Sequence, residues 1–268
     1  MLKHSVNFNK NPENCSANSQ DFLYVKLTNL HSSLVFFENS LYFFIREGFM
    51  KLKSDNLRVV LFDWDGTLAE SSPPRVVAVN QVLKEYGLPD WNNIKHKRNS
   101  RISFMDNFPN MFGIYADEAY QKYCKIYLDI IKNGINGYPK AKELIELLRK
   151  KGIKIGLMTN KDRKLLEFEL PLLYPFEYFD KIVCGHEAFR DKPHAEHALH
   201  TLKGMIEEKD ISPETVWIVG DSQLDNLCAS SINALPIRIN YAPCEKELCE
   251  CKNILYFENY NAFYEAIL

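Results

Sequence analysis

Short apolar runs that stop abruptly at polar residues are the main pattern along this chain. Runs of this kind, without alternation of apolar and polar positions, are typical of parallel strands that are buried on both faces. Three of them, each with the polar residues that follow, are residues 57–62 with Asp63, residues 153–158 with Thr159, and residues 216–219 with Gly220 and Asp221. The sequence therefore predicts buried strands that all end in polar side chains.

Helical patterns lie between these runs. Residues 139–151 carry apolar side chains at helical spacing, with Pro139 at the start and Gly152 just after the end. Because strands and helices alternate, the sequence predicts an α/β fold with a doubly wound parallel sheet and a Rossmann-like core. Ligands of such sheets bind at the carboxyl ends of the strands, which is where the three runs have their polar residues.

The composition of the chain is that of an ordinary globular protein. Of its 268 residues, 46% are hydrophobic and 25% are charged. Basic and acidic residues number 33 and 35, so the net charge is −2, and no nucleic-acid partner is expected. Seven cysteines are an odd number for a disulfide framework, and no secretory signal is recognisable. We therefore expect a reducing, cytoplasmic location.

Residues 1–56 are expected to form an N-terminal extension, with the fold beginning shortly after Met50. Within this extension, residues 34–49 are rich in aromatic residues but are interrupted by charged ones. They are also shorter than the roughly 20 apolar residues of a membrane-spanning helix, so no stable membrane insertion is expected. A helix at a membrane surface, a partner-binding helix and a segment incidental to the fold stay open as alternatives.

Four carboxylates follow the predicted strands: Asp63, Asp65, Asp221 and Asp225. Gathered in one crevice, they cannot all be ionised unless cations neutralise them. A ligand set made only of oxygens favours a hard ion, and Mg²⁺ is the common choice beside phosphate. Lys192, which precedes a helical stretch, adds a positive charge. Carboxylates, a hard cation, a hydroxyl and a lysine together indicate a phosphoryl-transfer site.

Four motifs, in this order along the chain, resemble those of the haloacid dehalogenase superfamily. They are Asp63-Trp64-Asp65-Gly66-Thr67-Leu68, Thr159-Asn160-Lys161, Lys192-Pro193, and Gly220-Asp221-Ser222-Gln223-Leu224-Asp225. The resemblance covers residues 57 to about 240. It implies the α/β core of that superfamily, with a small helical cap inserted into it.

The resemblance also implies a role for each matching residue. Asp63 is similar to the nucleophile that attacks phosphorus and becomes an aspartyl phosphate. Asp65 is similar to the general acid that protonates the leaving oxygen and later, as a base, activates water. Asp225 matches a residue that orients either the waters of the metal or Lys192. The implied phosphate ligands are Thr159, Asn160 and Lys192, and the implied Mg²⁺ ligands are Asp63, the backbone carbonyl of Asp65, and Asp221.

The residue two positions after the nucleophile narrows the reaction that the resemblance implies. Dehalogenases of this fold lack an aspartate there, and transport ATPases carry threonine. Asp65 therefore indicates a poor leaving group that must be protonated, which favours a phosphatase acting on a small phosphorylated metabolite. A phosphomutase of the β-phosphoglucomutase type and a non-catalytic binding module that kept the fold stay open. The sequence does not fix the oligomeric state.

Residues 72–137 are predicted to be the cap, because this insertion is much longer than a strand–helix connection needs. Residues 57–71 and 138–268 would then form the catalytic core. Within the cap, residues 74–86 and 116–133 have helical apolar spacing. The preceding Glu-Ser-Ser-Pro stretch resembles the Asp-Ser-x-Pro hinge of the phosphoglycolate phosphatase group, with glutamate in place of aspartate.

A basic stretch inside the cap supplies the candidate for substrate contact. It spans residues 95–101 and ends at Arg101, which is followed by the apolar Ile102 and Phe104. We expect Arg101 to turn inward and contact an anionic leaving group. The alternative is a solvated basic loop.

Three further features concern possible metal ligands and the residue between the two aspartates of the first motif. The possible metal ligands outside the four motifs are His194, His197 and His200, and Cys244, Cys249 and Cys251. The histidines recur every three residues, so they cannot share one helix face, and a structural role is expected for them. The cysteines lack a paired C-x-x-C arrangement, and a metal site there stays open. Trp64 is interpreted as an apolar filler between two aspartates.

Overall fold

The structure, a computed structural model, describes residues 52, 54–94, 99, 102–239 and 254–268, together with the strands at 23–26, 32–37 and 40–45. The strands are β1 (Leu23–Lys26), β2 (Ser32–Phe37), β3 (Ser40–Ile45), β4 (Val59–Phe62), β5 (Lys154–Met158), β6 (Lys181–Val183), β7 (Val216–Gly220), β8 (Leu235–Ile239) and β9 (Leu255–Phe257). Across the described residues they form one sheet in the order β1-β2-β3-β9-β8-β7-β4-β5-β6. The strands from β4 to β9 are all parallel, which confirms the predicted α/β class.

Helices connect and cover these strands. They are α1 (Ser72–Glu85), α2 (Trp91–Ile94), α3 (Phe108–Phe112), α4 (Ala116–Ile131), α5 (Ala141–Lys150), α6 (Arg163–Leu173), α7 (Ala195–Leu202), α8 (Gln223–Ser231) and α9 (Tyr260–Ile267). The three predicted strands correspond to β4, β5 and β7, and the helix predicted at residues 139–151 corresponds to α5. The pattern thus located these elements to within two residues at each end.

The N-terminal strands lie at one edge of the sheet. β1 and β2 form an antiparallel pair, β2 pairs with β3 in the same way, and β3 lies parallel to β9. The alternative of a helix over residues 34–49 is therefore wrong: aromatic-rich segments favour strands, and pairing supplies partners for the edge of β9. The structure also differs from the expectation for residues 1–56, since part of that extension extends the sheet.

The cap helices have a hydrophobic cluster of their own, separate from the two clusters that flank the sheet. α1 and α4 pack against each other and coincide with the two helical segments predicted for residues 74–86 and 116–133. Their buried residues include Val79, Val82, Tyr123 and Tyr127. The exact boundary between core and cap stays a prediction.

Two of the predicted features lie outside the described residues, namely Arg101 and the cysteines at 244, 249 and 251. Within the part of the chain that the structure describes, no helix is both long enough and apolar enough to cross a membrane.

Candidate active site

The order of the sheet brings the predicted site residues together. β4 lies between β7 and β5 in the sheet. Asp63 continues β4 and donates its backbone N–H to Val219 on β7, at 2.9 Å. Thr159 continues β5 and donates its N–H to Val183 on β6, at 3.0 Å. These backbone hydrogen bonds continue the strand pairing past the last residues of β4 and β5. They hold Asp63 and Thr159 at the carboxyl ends of the parallel strands.

A close approach at Gly66 brings the first and fourth motifs into contact. Gly66 has a φ of +80°, and a Cβ atom there would lie 2.2 Å from Oδ2 of Asp221. A side chain at this position would both strain the backbone and displace the Asp221 carboxylate. Glycine therefore lets the loop after β4 turn tightly beneath that carboxylate.

Lys192 forms a bridge between two of the predicted carboxylates. Its Nζ lies 2.6 Å from Oδ1 of Asp63 and 2.7 Å from Oδ1 of Asp225, and all three side chains are buried. Burial raises the pKa of Asp63 to about 8, although Lys192 opposes the shift. Burial and the nearby Asp225 also raise the pKa of Asp221, to about 6. The pocket thus holds more negative charge than one lysine neutralises.

Asp225 is held in place at the N-terminus of α8. Its Oδ2 accepts hydrogen bonds from the backbone N–H and the hydroxyl of Ser222, at 3.1 and 2.6 Å. The Ser222 side chain in turn accepts the backbone N–H of Asp225, and this capping box satisfies N–H groups that an isolated helix end would leave unpaired. A Cβ at Gly220 would lie 2.1 Å from the carboxyl carbon of Asp225. The helix therefore fixes the position from which the Asp225 carboxylate binds Lys192.

Asn160 connects the second and third motifs. Its side-chain nitrogen donates to the backbone oxygen of Lys192 at 2.9 Å, and its Oδ1 accepts from the backbone N–H of Lys192 at 3.0 Å. Both ends of the amide are used in positioning Lys192. A phosphate contact of Asn160 stays a prediction, but its side chain has this second task, which the sequence did not reveal.

His197 binds the backbone of Lys192. The imidazole is buried on α7, and its Nδ1 accepts the backbone N–H of Lys192 at 3.2 Å. Burial, together with the charge of Lys192, lowers the pKa of His197 to about 3, so the ring is neutral at ordinary pH. His194 and His200 are exposed. Of the three predicted histidines, His197 therefore has the structural role that was expected.

A second buried lysine, Lys161, pairs with the other aspartate of the first motif. Its Nζ lies 2.8 Å from Oδ1 of Asp65 and 2.8 Å from Oε1 of Glu169 on α6. Burial raises the pKa of Asp65, but Lys161 and then Arg75 outweigh that effect, so the pKa lies below its ordinary value. Lys161 belongs to the second motif, but nothing in that motif indicates its role.

Trp64 is not a mere apolar filler. Its indole Nε1 donates a hydrogen bond to Oε2 of Glu169, and the ring is fully buried, in edge contact with Tyr174. The donor matters because a buried carboxylate needs polar partners. Glu169 thus connects the loop after β4, through Trp64, with the loop after β5, through Lys161.

A sequence signal for Glu169 does exist. The buried residues of α6 are Leu165, Leu166, Glu169 and Leu170, so Glu169 occupies a position in the apolar stripe of the helix. A glutamate at such a position must be buried, and a buried glutamate needs a cation. The periodicity of α6 could therefore have identified it.

A cavity of about 440 Å³ opens above these groups, between core and cap. Its floor includes Asp63, Asp65, Thr159, Lys192 and Asp221. The cap lines it with Arg75 and with aromatic and apolar side chains, which are Ile102, Phe104, Met105, Tyr120 and Tyr123. A cavity of this size fits a small substrate.

The carboxylates on this floor fit a hard divalent cation. One oxygen from each of Asp63, Asp221 and Asp225 lies within 4.8 Å of the others. Asp225 is engaged by Lys192 and Ser222, whereas Asp63 and Asp221 line the cavity. An all-oxygen set with excess negative charge is the chemistry that such ions require.

Comparison with known families decides the classification. The profile of the haloacid dehalogenase-like hydrolases matches residues 60–238. The chain belongs to this family of hydrolases. The match spans all four motifs and the cap, and membership implies a divalent metal in the site described above.

Individual relatives of this hydrolase are named phosphatases. It is 31% identical to the phosphoglycolate phosphatase of Aquifex aeolicus over 172 residues, which are 63% of this chain and 78% of the relative. It is 28% identical to the pyrophosphatase PpaX of Bacillus cereus over 174 residues, 63% of this chain and 76% of the relative. A solved hydrolase from Pseudomonas syringae has the same fold, with a TM-score of 0.64 at 20% identity, covering 79% of this chain and all of that one.

Proposed function

We propose that this hydrolase is a Mg²⁺-dependent phosphatase that cleaves a small phosphomonoester through an aspartyl-phosphate intermediate. The observation that carries the proposal is the separation of the two aspartates of the first motif. Asp63 lies among the carboxylates that suit a cation, whereas Asp65 lies apart from them beside Lys161. Two carboxylates with different environments suit two different roles.

In the first step, a carboxylate oxygen of Asp63 forms a bond to phosphorus while the bond from phosphorus to the ester oxygen breaks. The carboxyl group of Asp65 gives its proton to that departing oxygen, which leaves as an alcohol. In the second step, Asp65 takes a proton from water as the water oxygen bonds to the same phosphorus and the bond from phosphorus to the Asp63 oxygen breaks. Inorganic phosphate leaves, and both aspartates return to their starting states.

Lys192 and Thr159 would hold the oxygens of the transferring phosphoryl group. Lys192 reaches the floor of the cavity with its charge fixed by Asp225, and Thr159 lies at the end of the neighbouring strand. Asp63, the backbone carbonyl of Asp65 and Asp221 would hold Mg²⁺. When bound, the ion would offset the negative charge that gathers on the phosphoryl oxygens.

The experiment that tests this function is a screen of the purified chain against phosphorylated metabolites. The screen includes phosphoglycolate and pyrophosphate, because relatives are named for activity on them. We expect the chain to release phosphate from at least one small ester, and we expect this release to require Mg²⁺. No release from any ester or from pyrophosphate would favour the non-catalytic binding module instead.

A phosphomutase shares the same motifs and is separated by a different assay. A mutase retains its product for a second transfer, so a bisphosphorylated sugar would activate its turnover. We expect no such activation for this chain and a steady release of phosphate into solution. Activation by the bisphosphate, with isomerised sugar phosphate as the product, would contradict the proposal.

A further inference from the structure

Glu169 is a buried carboxylate that the proposed reaction does not use. It lies on the apolar face of α6, and its side chain is 0% exposed. Burying an ionised carboxylate costs several kcal/mol unless charge and hydrogen bonds compensate. A leucine at this position would continue the apolar stripe of the helix, so stability alone does not account for a glutamate.

The partners of Glu169 link it to the reacting groups. Its Oε1 lies 2.8 Å from Nζ of Lys161, and the same Nζ lies 2.8 Å from Oδ1 of Asp65. A third contact of this ammonium is with the cap, where the hydroxyl of Tyr127 lies 3.5 Å from Nζ. The contact with Glu169 is an ion pair rather than a directed hydrogen bond, and only one of the three contacts of the ammonium is to Asp65.

Fixing Lys161 also fixes the orientation of Asp65. Because Oδ1 of Asp65 is bound to Nζ, the plane of the carboxyl group is set, and with it the direction of the second oxygen. Trp64, which precedes Asp65 in the loop, is bound to the other oxygen of Glu169. Glu169 therefore acts on Asp65 by two routes, one through Lys161 and one through the backbone of the loop.

We infer that Glu169 is a positioning residue for the proton transfers of Asp65. It holds Lys161 back, so that the ammonium orients Asp65 toward the leaving oxygen without drawing it out of the cavity. The inference rests on the proposed function, since it assigns Asp65 the acid–base role. It predicts a defect that depends on how much the leaving group needs a proton.

The test compares alkyl and aryl phosphates in Glu169→Gln, which keeps the shape of the side chain and removes its charge. We expect the rate of the first step, measured as release of the alcohol in a single turnover, to fall roughly tenfold or more for an alkyl phosphate, which is part of the 10²–10⁴-fold typical of general acid–base catalysis. For p-nitrophenyl phosphate, whose leaving anion is stable, we expect a much smaller loss, with KM for both esters little changed. Glu167→Gln, an exposed neighbour on the same helix, is the matched control and should behave like the native chain.

Equal losses with both esters, or no loss at all, would overturn the inference, because a merely structural role does not distinguish leaving groups. Should Glu169→Gln melt below the assay temperature, Glu169→Asp carries the test. It keeps the charge and shifts Lys161, so the same difference between esters is expected at smaller size.

A crystal structure of the variant gives a readout that is independent of turnover. We expect Lys161 and the carboxyl group of Asp65 to change position in Glu169→Gln. Unchanged positions of Lys161 and Asp65 would overturn the inference about Glu169, whether or not the native chain is active. A native chain that hydrolyses no ester would instead contradict the proposed function.

Discussion

Two buried lysines divide the floor of the cavity between the two aspartates of the first motif. Lys192 joins Asp63 to Asp225, and these three residues form the Lys192 group. Lys161 joins Asp65 to Glu169, and these three form the Lys161 group. The local geometry is similar, because each ammonium lies within 2.8 Å of two carboxylates. The surroundings differ, because Asp221 stands beside the first group only.

The difference between the two groups lies in their charge. With all groups ionised, the Lys192 group has three carboxylates against one ammonium when Asp221 is included, whereas the Lys161 group has two against one. The charges of Arg238 and Arg75 offset part of this excess at Asp221, and burial raises the pKa of Asp63 to about 8. The second group is closer to neutral, and its aspartate has a lowered pKa. The same residue type thus has two different electrostatic environments within one motif.

The largest effect that separates the groups is expected for Asp63→Asn. The amide keeps the shape of the side chain but is not a nucleophile, so turnover should vanish for every ester. No phosphate should be bound covalently to the protein after acid quenching of a reaction with labelled substrate. A variant that still formed the phosphoenzyme would show that another residue is the nucleophile.

Removal of divalent metal tests the carboxylates around Lys192, because Asp63 and Asp221 are the proposed ligands. A chelator should abolish activity, and Mg²⁺ should restore it. Because the ion binds only the folded chain, Mg²⁺ at 100 times its Kd adds about 2.7 kcal/mol to the free energy of unfolding. That corresponds to a rise of ~5–10 °C in Tm for a chain of this size. Asp221→Asn is the control, and its Tm should not respond to Mg²⁺; an equal response would remove Asp221 from the metal site.

Asp65→Ala tests the Lys161 group. The nucleophile remains, so the first step should continue with aryl phosphates, while alkyl phosphates should be slowed by ~10²–10⁴-fold. Without a base to activate water, the aspartyl phosphate should accumulate on the protein, which rapid quenching can measure. Equal losses for aryl and alkyl esters and no trapped intermediate would show that Asp65 does not transfer the proton.

The two groups also differ in how far they could be predicted from sequence. Asp63, Asp221 and Thr159 follow short buried strands, and the rule that ligands bind at the carboxyl ends of parallel strands brings them together. Lys192 and Asp225 came from motifs at recognisable spacing. Each of these signals is local, so reading the chain in order is enough to find it.

The Lys161 group depends on a contact between distant parts of the chain. Glu169 lies 105 positions after Trp64, and nothing near it in sequence points to the first motif. Only the packing of α6 against the loops brings Glu169 to Lys161 and Trp64. The tasks of Asn160 were missed for the same reason, since its amide binds the backbone of Lys192, 32 positions away. Sequence patterns located the candidate reacting residues and Asp225, but they did not identify Glu169 or the contact of Asn160 with Lys192.

The smallest expected effect concerns the support behind Lys192. Burial, with the charge of Lys192, lowers the pKa of His197 to about 3 in the folded chain, whereas an unfolded histidine has a pKa of about 6.5. Above pH 6.5 neither state binds the proton, so this contribution to stability is complete. As the pH falls from 6.5 toward 3, His197 binds a proton in the unfolded chain but not in the folded chain. The free energy of unfolding should then decrease by up to about 1.4 kcal/mol per pH unit from this residue.

His197→Asn separates this contribution from that of the carboxylates. The amide oxygen of asparagine can accept the backbone N–H of Lys192 in place of Nδ1, but the side chain does not titrate. Denaturant unfolding at pH 4 to 7 should show a flatter pH dependence for this variant than for the native chain, whatever its absolute stability. His200→Asn, which changes an exposed histidine on the same helix, should keep the native slope. If His197→Asn also kept that slope, His197 would not be neutral in the folded chain, and the support of Lys192 would have to come from Asn160 alone.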